Sequence, residues 1–180
     1  MRIHNGFSLI EVLIAVALAS VLMLLAVPAF QTMQARRAVA AAVAAFESDF
    51  ALARSEAIRR GHSVTICNSS DGAQCLGGTS SNADWTPGWI IYPQPSGSTT
   101  PAGSNAPAPI PLRVQGRLQG IQSVSASDSQ FTFRATGLGK ATSDGILITP
   151  QADVSKKRKL CISSAGRLRV APEGETQCPN

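Results

Sequence analysis

The chain has 180 residues, a net charge of +5 and a pI near 9.4. That length suits one domain plus an anchor, and the basic excess fits an anionic partner or surface. No catalytic set is recognisable: His62 is the only histidine beyond the first six residues, no Gly-x-Ser-x-Gly elbow occurs, and Gly137-Leu138-Gly139-Lys140 is too short for a phosphate-binding loop and reads as a turn.

Residues 1–6 form a short leader with Arg2 and His4, ending in Gly6. An apolar run follows to Val27, interrupted by a single ionisable side chain, Glu11. About 21 such residues make a helix roughly 30 Å long, enough to cross a bilayer's hydrocarbon core. A carboxylate near one end of that run is costly in lipid, so it needs a partner or a function. The run continues through Val21-Leu22-Met23-Leu24-Leu25, past a candidate Sec cleavage site at Ala17-Leu18-Ala19, which argues against an ordinary secretory signal. Arg2 before the span places the bulk of the chain outside the cytoplasm.

Gly6-Phe7, with Glu11 four residues on, resembles the class III signal of type IV pilins and type II secretion pseudopilins. The resemblance implies that a prepilin peptidase cuts after Gly6 and that the new terminus, Phe7, is N-methylated. Glu11 would then neutralise the new amine of a neighbouring pilin subunit, pairing two otherwise buried charges.

Pro28 falls at the end of the apolar run, where a kink or local unwinding is expected. Helix is expected to continue through residues 28–61. Val39, Val43, Phe46, Phe50, Ala53 and Ala57 form one apolar stripe on it. Arg36, Arg37, Glu47, Asp49, Arg54, Glu56, Arg59 and Arg60 are assigned to the other faces, and Gly61 to a left-handed cap.

After Gly61 the pattern changes to short strands. They are expected at residues 62–67, 88–92, 112–114, 130–134, 145–149, 159–162 and 167–170, separated by Gly, Asn, Asp and Ser clusters. One long helix before seven strands predicts an α+β protein, the helix packed on a C-terminal antiparallel β head. The expected organisation is a cleaved leader (1–6), a transmembrane and filament-core helix (7–27), an amphipathic helix (28–61) and a globular head (62–180). Residues 93–111, rich in Pro, Ser and Gly, read as an exposed, mobile loop.

Four cysteines behind a membrane-targeting segment predict an oxidising compartment and disulfides. Cys67, Cys75, Cys161 and Cys178 allow three pairings, of which the sequential one is favoured by locality. Zinc fits less well, because the spacing is not CxxC and the histidines are remote. No metal or cofactor is expected.

The C-terminal region carries a basic cluster. Lys156-Lys157-Arg158-Lys159 is expected to open one strand, residues 163–166 to turn, and Arg167-Leu168-Arg169-Val170 to return. In a strand Arg167 and Arg169 share a face about 7 Å apart, near the spacing of successive phosphates in one nucleic-acid strand. With no interleaved aromatic residues, such a surface would hold double-stranded DNA by its backbone and without base stacking. A solvated edge strand protected by arginines is the alternative.

The segments Arg54-Ser55-Glu56-Ala57-Ile58-Arg59-Arg60-Gly61 and Val64-Thr65-Ile66-Cys67, the Trp85…Gly88-Trp89 block, and Cys161-Ile162-Ser163…Gly166-Arg167-Leu168-Arg169-Val170 resemble the GspH/FimT family of minor pilins. Gly166-Arg167-Leu168-Arg169 matches the Gly-Arg-x-Arg motif that FimT-like members are believed to use for DNA uptake in competence. The resemblance implies a structural subunit, not an enzyme. It would be held single-pass in the bacterial inner membrane with its head in the periplasm, then assembled with other pilins or pseudopilins. The alternative is type II secretion system protein H, a pseudopilus tip subunit acting in protein secretion without DNA.

Overall fold

The computed structural model describes residues 8–76, 83–94, 110–139, 145–163 and 165–178. Its organising element is helix α1, Leu9–Arg60, 52 residues long. The helix runs through Pro28 without interruption, and the Thr32 hydroxyl donates back to the Pro28 carbonyl at 3.1 Å. It ends at Gly61, whose φ of 68° is left-handed and whose N–H reaches the carbonyls of Ala57 and Ile58. The expected glycine cap is therefore present, and backbone freedom alone accounts for it, because no atom lies where a Cβ would stand.

The two halves of α1 differ as the composition requires. From Ser8 to Gln31, Leu25 apart, every residue is exposed, including Leu9, Leu18 and Leu24. From Ala35 onward a stripe is buried: Ala35, Val39, Ala42, Phe46, Phe50, Ala53 and Ala57. Val43, which the periodicity places in the stripe, is only partly buried at its margin.

Among the described residues nine strands follow, in two antiparallel sheets. One sheet has the order β4-β3-β1-β6, built from β1 (Val64–Asn68), β3 (Gly88–Pro93), β4 (Arg113–Gly116) and β6 (Gln130–Phe133). The other has the order β2-β5-β7-β8-β9, from β2 (Ala83–Asp84), β5 (Ile121–Ala126), β7 (Ile146–Pro150), β8 (Arg158–Ile162) and β9 (Leu168–Val170). Strands β2 and β5 were not expected from the sequence. Pro93 closes β3 instead of opening a loop, and residues 95–109 of the expected loop lie outside the described residues.

Both sheets bury one face against α1 in a single core. Val64, Ile66, Trp89 and Phe131 come from the first sheet, and Val124, Ile146, Ile148 and Leu160 from the second. The Phe46 ring stacks on Trp89 with centroids 4.1 Å apart, and Phe50 meets Phe133 edge-on at 5.8 Å. Buried aromatic side chains of this size supply much of the apolar area that holds the helix to the head. On the outer face of the first sheet a smaller cluster of Cys67, Ile90 and Tyr92 receives Cys75.

Candidate functional site

Glu11 stands in the first turn of α1, exposed, beside a shallow apolar depression formed with Val12, Ala15, Val16 and Ala19. Gly6 and Phe7 lie outside the described residues. The carboxylate is thus presented on an uncovered apolar helix face, where only lipid or another protein could surround it.

The cysteines are paired sequentially, Cys67 with Cys75 and Cys161 with Cys178, each with Cα atoms 5.6 Å apart. No cysteine is free, and among the described residues no group of three or more His, Cys, Asp or Glu could hold a metal ion.

The C-terminal hairpin is built by β8 and β9, with Leu160 opposite Val170, Cys161 opposite Arg169 and Ile162 opposite Leu168. Its turn is closed by Gly166 N–H donating to the Ser163 carbonyl at 2.8 Å and Ser163 N–H donating to the Arg167 carbonyl at 3.0 Å. Gly166 has φ 69°, and a Cβ there would come within 2.5 Å of the Phe133 ring. Strand β9 forms one edge of its sheet. Leu168 packs against the core, while Arg167 and Arg169 are exposed and have no side-chain partner among the described residues.

The neighbouring basic run does not extend that pair as expected. Lys156 closes a 3-10 turn, Val154–Lys156, and the strand starts only at Arg158. Lys159 is buried, 5 % exposed, and its ammonium donates to the Thr176 carbonyl at 2.7 Å. Lys156 and Arg158 converge instead on Glu173. Lys156 Nζ is 3.0 Å from Oε1, Arg158 Nη2 is 4.0 Å from Oε2, and Arg36 of the helix joins at 3.1 Å. Lys156, and after it Arg36, hold the Glu173 carboxyl below the usual glutamate range. Arg158 also donates to the Ala171 carbonyl at 3.1 Å. The run is therefore a clamp between hairpin, helix and C-terminal segment, with Lys157 the one member whose side chain has no partner among the described residues. Sequence reasoning passed over Glu173. An acid three positions beyond Val170, with a basic run facing it across a hairpin, was the available signal.

Asp49 is a second correction. It does not lie on a solvent face but is fully buried, accepting the Trp89 indole N–H at 2.7 Å, with Arg113 Nε 2.9 Å from its other oxygen. Burial raises its pKa, and Trp89 and then Arg113 pull it back down. Its spacing from Phe46 and Ala53 puts it at the stripe's margin. The two tryptophans in the sequence needed acceptors for their N–H groups.

Two family models match the amino-acid sequence. Residues 1–27 match the prokaryotic N-terminal methylation motif, and residues 42–166 match Type II transport protein GspH. The chain belongs to the GspH family. It is accordingly a minor pilin or pseudopilin of the type IV pilus and type II secretion class, a family of structural subunits. The methylation motif implies processing by a prepilin peptidase and assembly with other pilins, and with the apolar helix it marks a membrane-anchored pilus component. The fold is similar to that of the type IV minor pilin FimU of Pseudomonas aeruginosa strain PAO1. One crystal form matches with a TM-score of 0.50 and 21 % identity, covering 78 % of this chain and 92 % of that one. A second crystal form matches with a TM-score of 0.46 and 21 % identity, covering 75 % of this chain and 94 % of the other. No curated protein matches the sequence significantly.

Proposed function

We propose that this GspH-family subunit is a minor pilin. It is held single-pass in the inner membrane with its head in the periplasm, and is then drawn into a type IV pilus or type II pseudopilus. The carrying observation is the division of α1: an apolar segment with none of its most hydrophobic stretch buried, continuous with a segment that carries the core of the head. A monomer leaves the first segment without protein neighbours, so it needs lipid before assembly and other helices after it. In this reading residues 1–6 are the leader, cleavage falls between Gly6 and Phe7, and Glu11 meets the methylated amine of an adjacent subunit. The test is Glu11→Ala: the protein should be made and cleaved, yet be depleted from sheared filaments. Normal incorporation would remove this role from Glu11.

A second reading, DNA capture during uptake, is favoured by one observation: Arg167 and Arg169 are exposed on an edge strand and unpaired among the described residues. Contact there would be to phosphates, without sequence preference and weakened by salt. The double variant Arg167→Gln, Arg169→Gln should lose duplex DNA in gel shifts while keeping its fold. Unchanged shifts would leave the pair as protection of a sheet edge.

A further inference from the structure

We infer that the underside of the head is a seat for anionic phospholipid headgroups, occupied while the subunit waits in the membrane. The inference rests on the anchored reading above.

Thr32 is the first residue of α1 that the head partly covers, and its hydroxyl lies 3.3 Å from Asp153 Oδ2, beside the 3-10 turn Val154–Lys156. That turn is joined to the helix just past the apolar run. At about 1.5 Å per residue, Thr32 stands roughly 7.5 Å above Val27, and Arg37 roughly 15 Å above it. The headgroup layer reaches about 5–8 Å beyond the hydrocarbon core, so Thr32 and the turn lie at its level. Arginine and lysine stems then let the charges of Arg37 and Lys157 reach back down towards it, while Arg36 and Lys156 stay on Glu173.

Two further features suit a lipid surface. Phe30, Met33 and Val154 are exposed at 54 %, 40 % and 56 %, so the same zone offers apolar groups to the boundary of the acyl chains. Two of its acids are already engaged, Glu173 with Arg36, Lys156 and Arg158, and Asp153 with Ser155 and Thr32. That leaves Glu175, next to the Gly174 N–H that donates to the Lys157 carbonyl, as the exposed acid nearest Lys157 without a side-chain partner among the described residues. Arg37 and Lys157 have no side-chain partner among the described residues and are free to meet phosphate.

Nucleic acid is disfavoured as the occupant because it offers nothing to the exposed apolar groups. The seat is also separate from the Arg167 and Arg169 pair. Arg158 and Glu173 line a groove with Arg36, and Gly166 and Arg167 line a neighbouring one with Arg54 and Ile58, with the acidic Glu47 lining both and standing between the two basic groups. Arg36 and Arg54 are eighteen residues apart on one helix, about 27 Å.

The experiment places the full chain in nanodiscs of equal phosphatidylglycerol and phosphatidylcholine, then counts the lipids that remain bound after mild detergent extraction, by native mass spectrometry. The wild type should retain phosphatidylglycerol preferentially. Arg37→Gln with Lys157→Gln should reduce that preference by roughly five-fold per charge, while Arg37→Lys with Lys157→Arg keeps it. Circular dichroism confirms the fold of both variants. No preference in the wild type, or an unchanged one in the glutamine variant, overturns the inference. So does a glutamine variant that loses duplex DNA binding with its lipid preference intact. A chain that never enters the nanodiscs overturns the anchored reading instead.

Discussion

Asp49 accepts the indole N–H of Trp89 across 2.7 Å, with the two residues 0 % and 1 % exposed. The bond joins the head-docked half of α1 to the start of β3, directly beside the stacked Phe46 ring. Arg113, 45 % exposed on β4, reaches the same carboxylate from the solvent side. One acidic residue thereby fixes the rotation of the helix on the first sheet.

Asp49→Ala strands the Trp89 N–H and leaves Arg113 without its anion. It should cost about 3 kcal/mol in urea unfolding followed by tryptophan fluorescence. Trp89→Phe removes the donor and leaves a buried carboxylate oxygen unsatisfied, at about 2 kcal/mol by circular dichroism. A loss under about 0.5 kcal/mol in both would show that the aromatic stack alone sets the docking.

Acid should act on two carboxylates in opposite directions. Glu173 has a lowered pKa, so its contribution is present above its ordinary value of 4.5 and is lost as the pH falls. Thermal melts of wild type and Glu173→Gln should therefore differ above pH 4.5 and converge in acid. Asp49 has a raised pKa, so its buried charge is a penalty at neutral pH that is relieved as the pH falls towards 3.8. Removing Asp49 should steepen the acid loss of stability, and a parallel curve would count against the burial argument.

The Cys161–Cys178 bridge closes a loop with a sequence separation of 17, inside which Lys159 donates to the Thr176 carbonyl. Replacing both cysteines by alanine should lower stability by about 2–4 kcal/mol, mainly by freeing the unfolded chain. Denaturant titration with the Cys67–Cys75 bridge intact measures it.

Gly166 belongs to the Gly-Arg-Leu-Arg segment, yet its requirement is structural: φ is 69° and Phe133 occupies the space a side chain would need. Gly166→Ala should cost about 1–3 kcal/mol, while Arg167→Gln with Arg169→Gln should leave stability within about 0.5 kcal/mol. Comparable melting points for all three proteins would refute the assignment.

Where the pattern was carried by large apolar side chains, the sequence was readable. Phe46, Phe50, Ala53 and Ala57 announced the buried stripe, and runs such as Trp89-Ile90-Ile91 announced strands. Strand β5 escaped because Ile121-Gln-Ser-Val-Ser-Ala is serine-rich, and its register shifts between Ile121 and Ser123, which breaks the two-residue period. Strand β2 is two residues long and has no period to detect. The basic run misled for a different reason. Charge in a sequence reports ionisation, not availability, and only the folded hairpin shows Lys156, Arg158 and Lys159 bound to partners brought close by the C-terminal segment.

The uninterrupted helix also has a mechanical meaning. Its core contacts run lengthwise from Ala35 to Ala57, about 33 Å along the axis. A pull applied at the membrane end, along that axis, loads those contacts together in shear instead of peeling them one by one. Traction on the N-terminus should thus move the head as a unit, and force spectroscopy would find the head harder to unfold along the helix than across it.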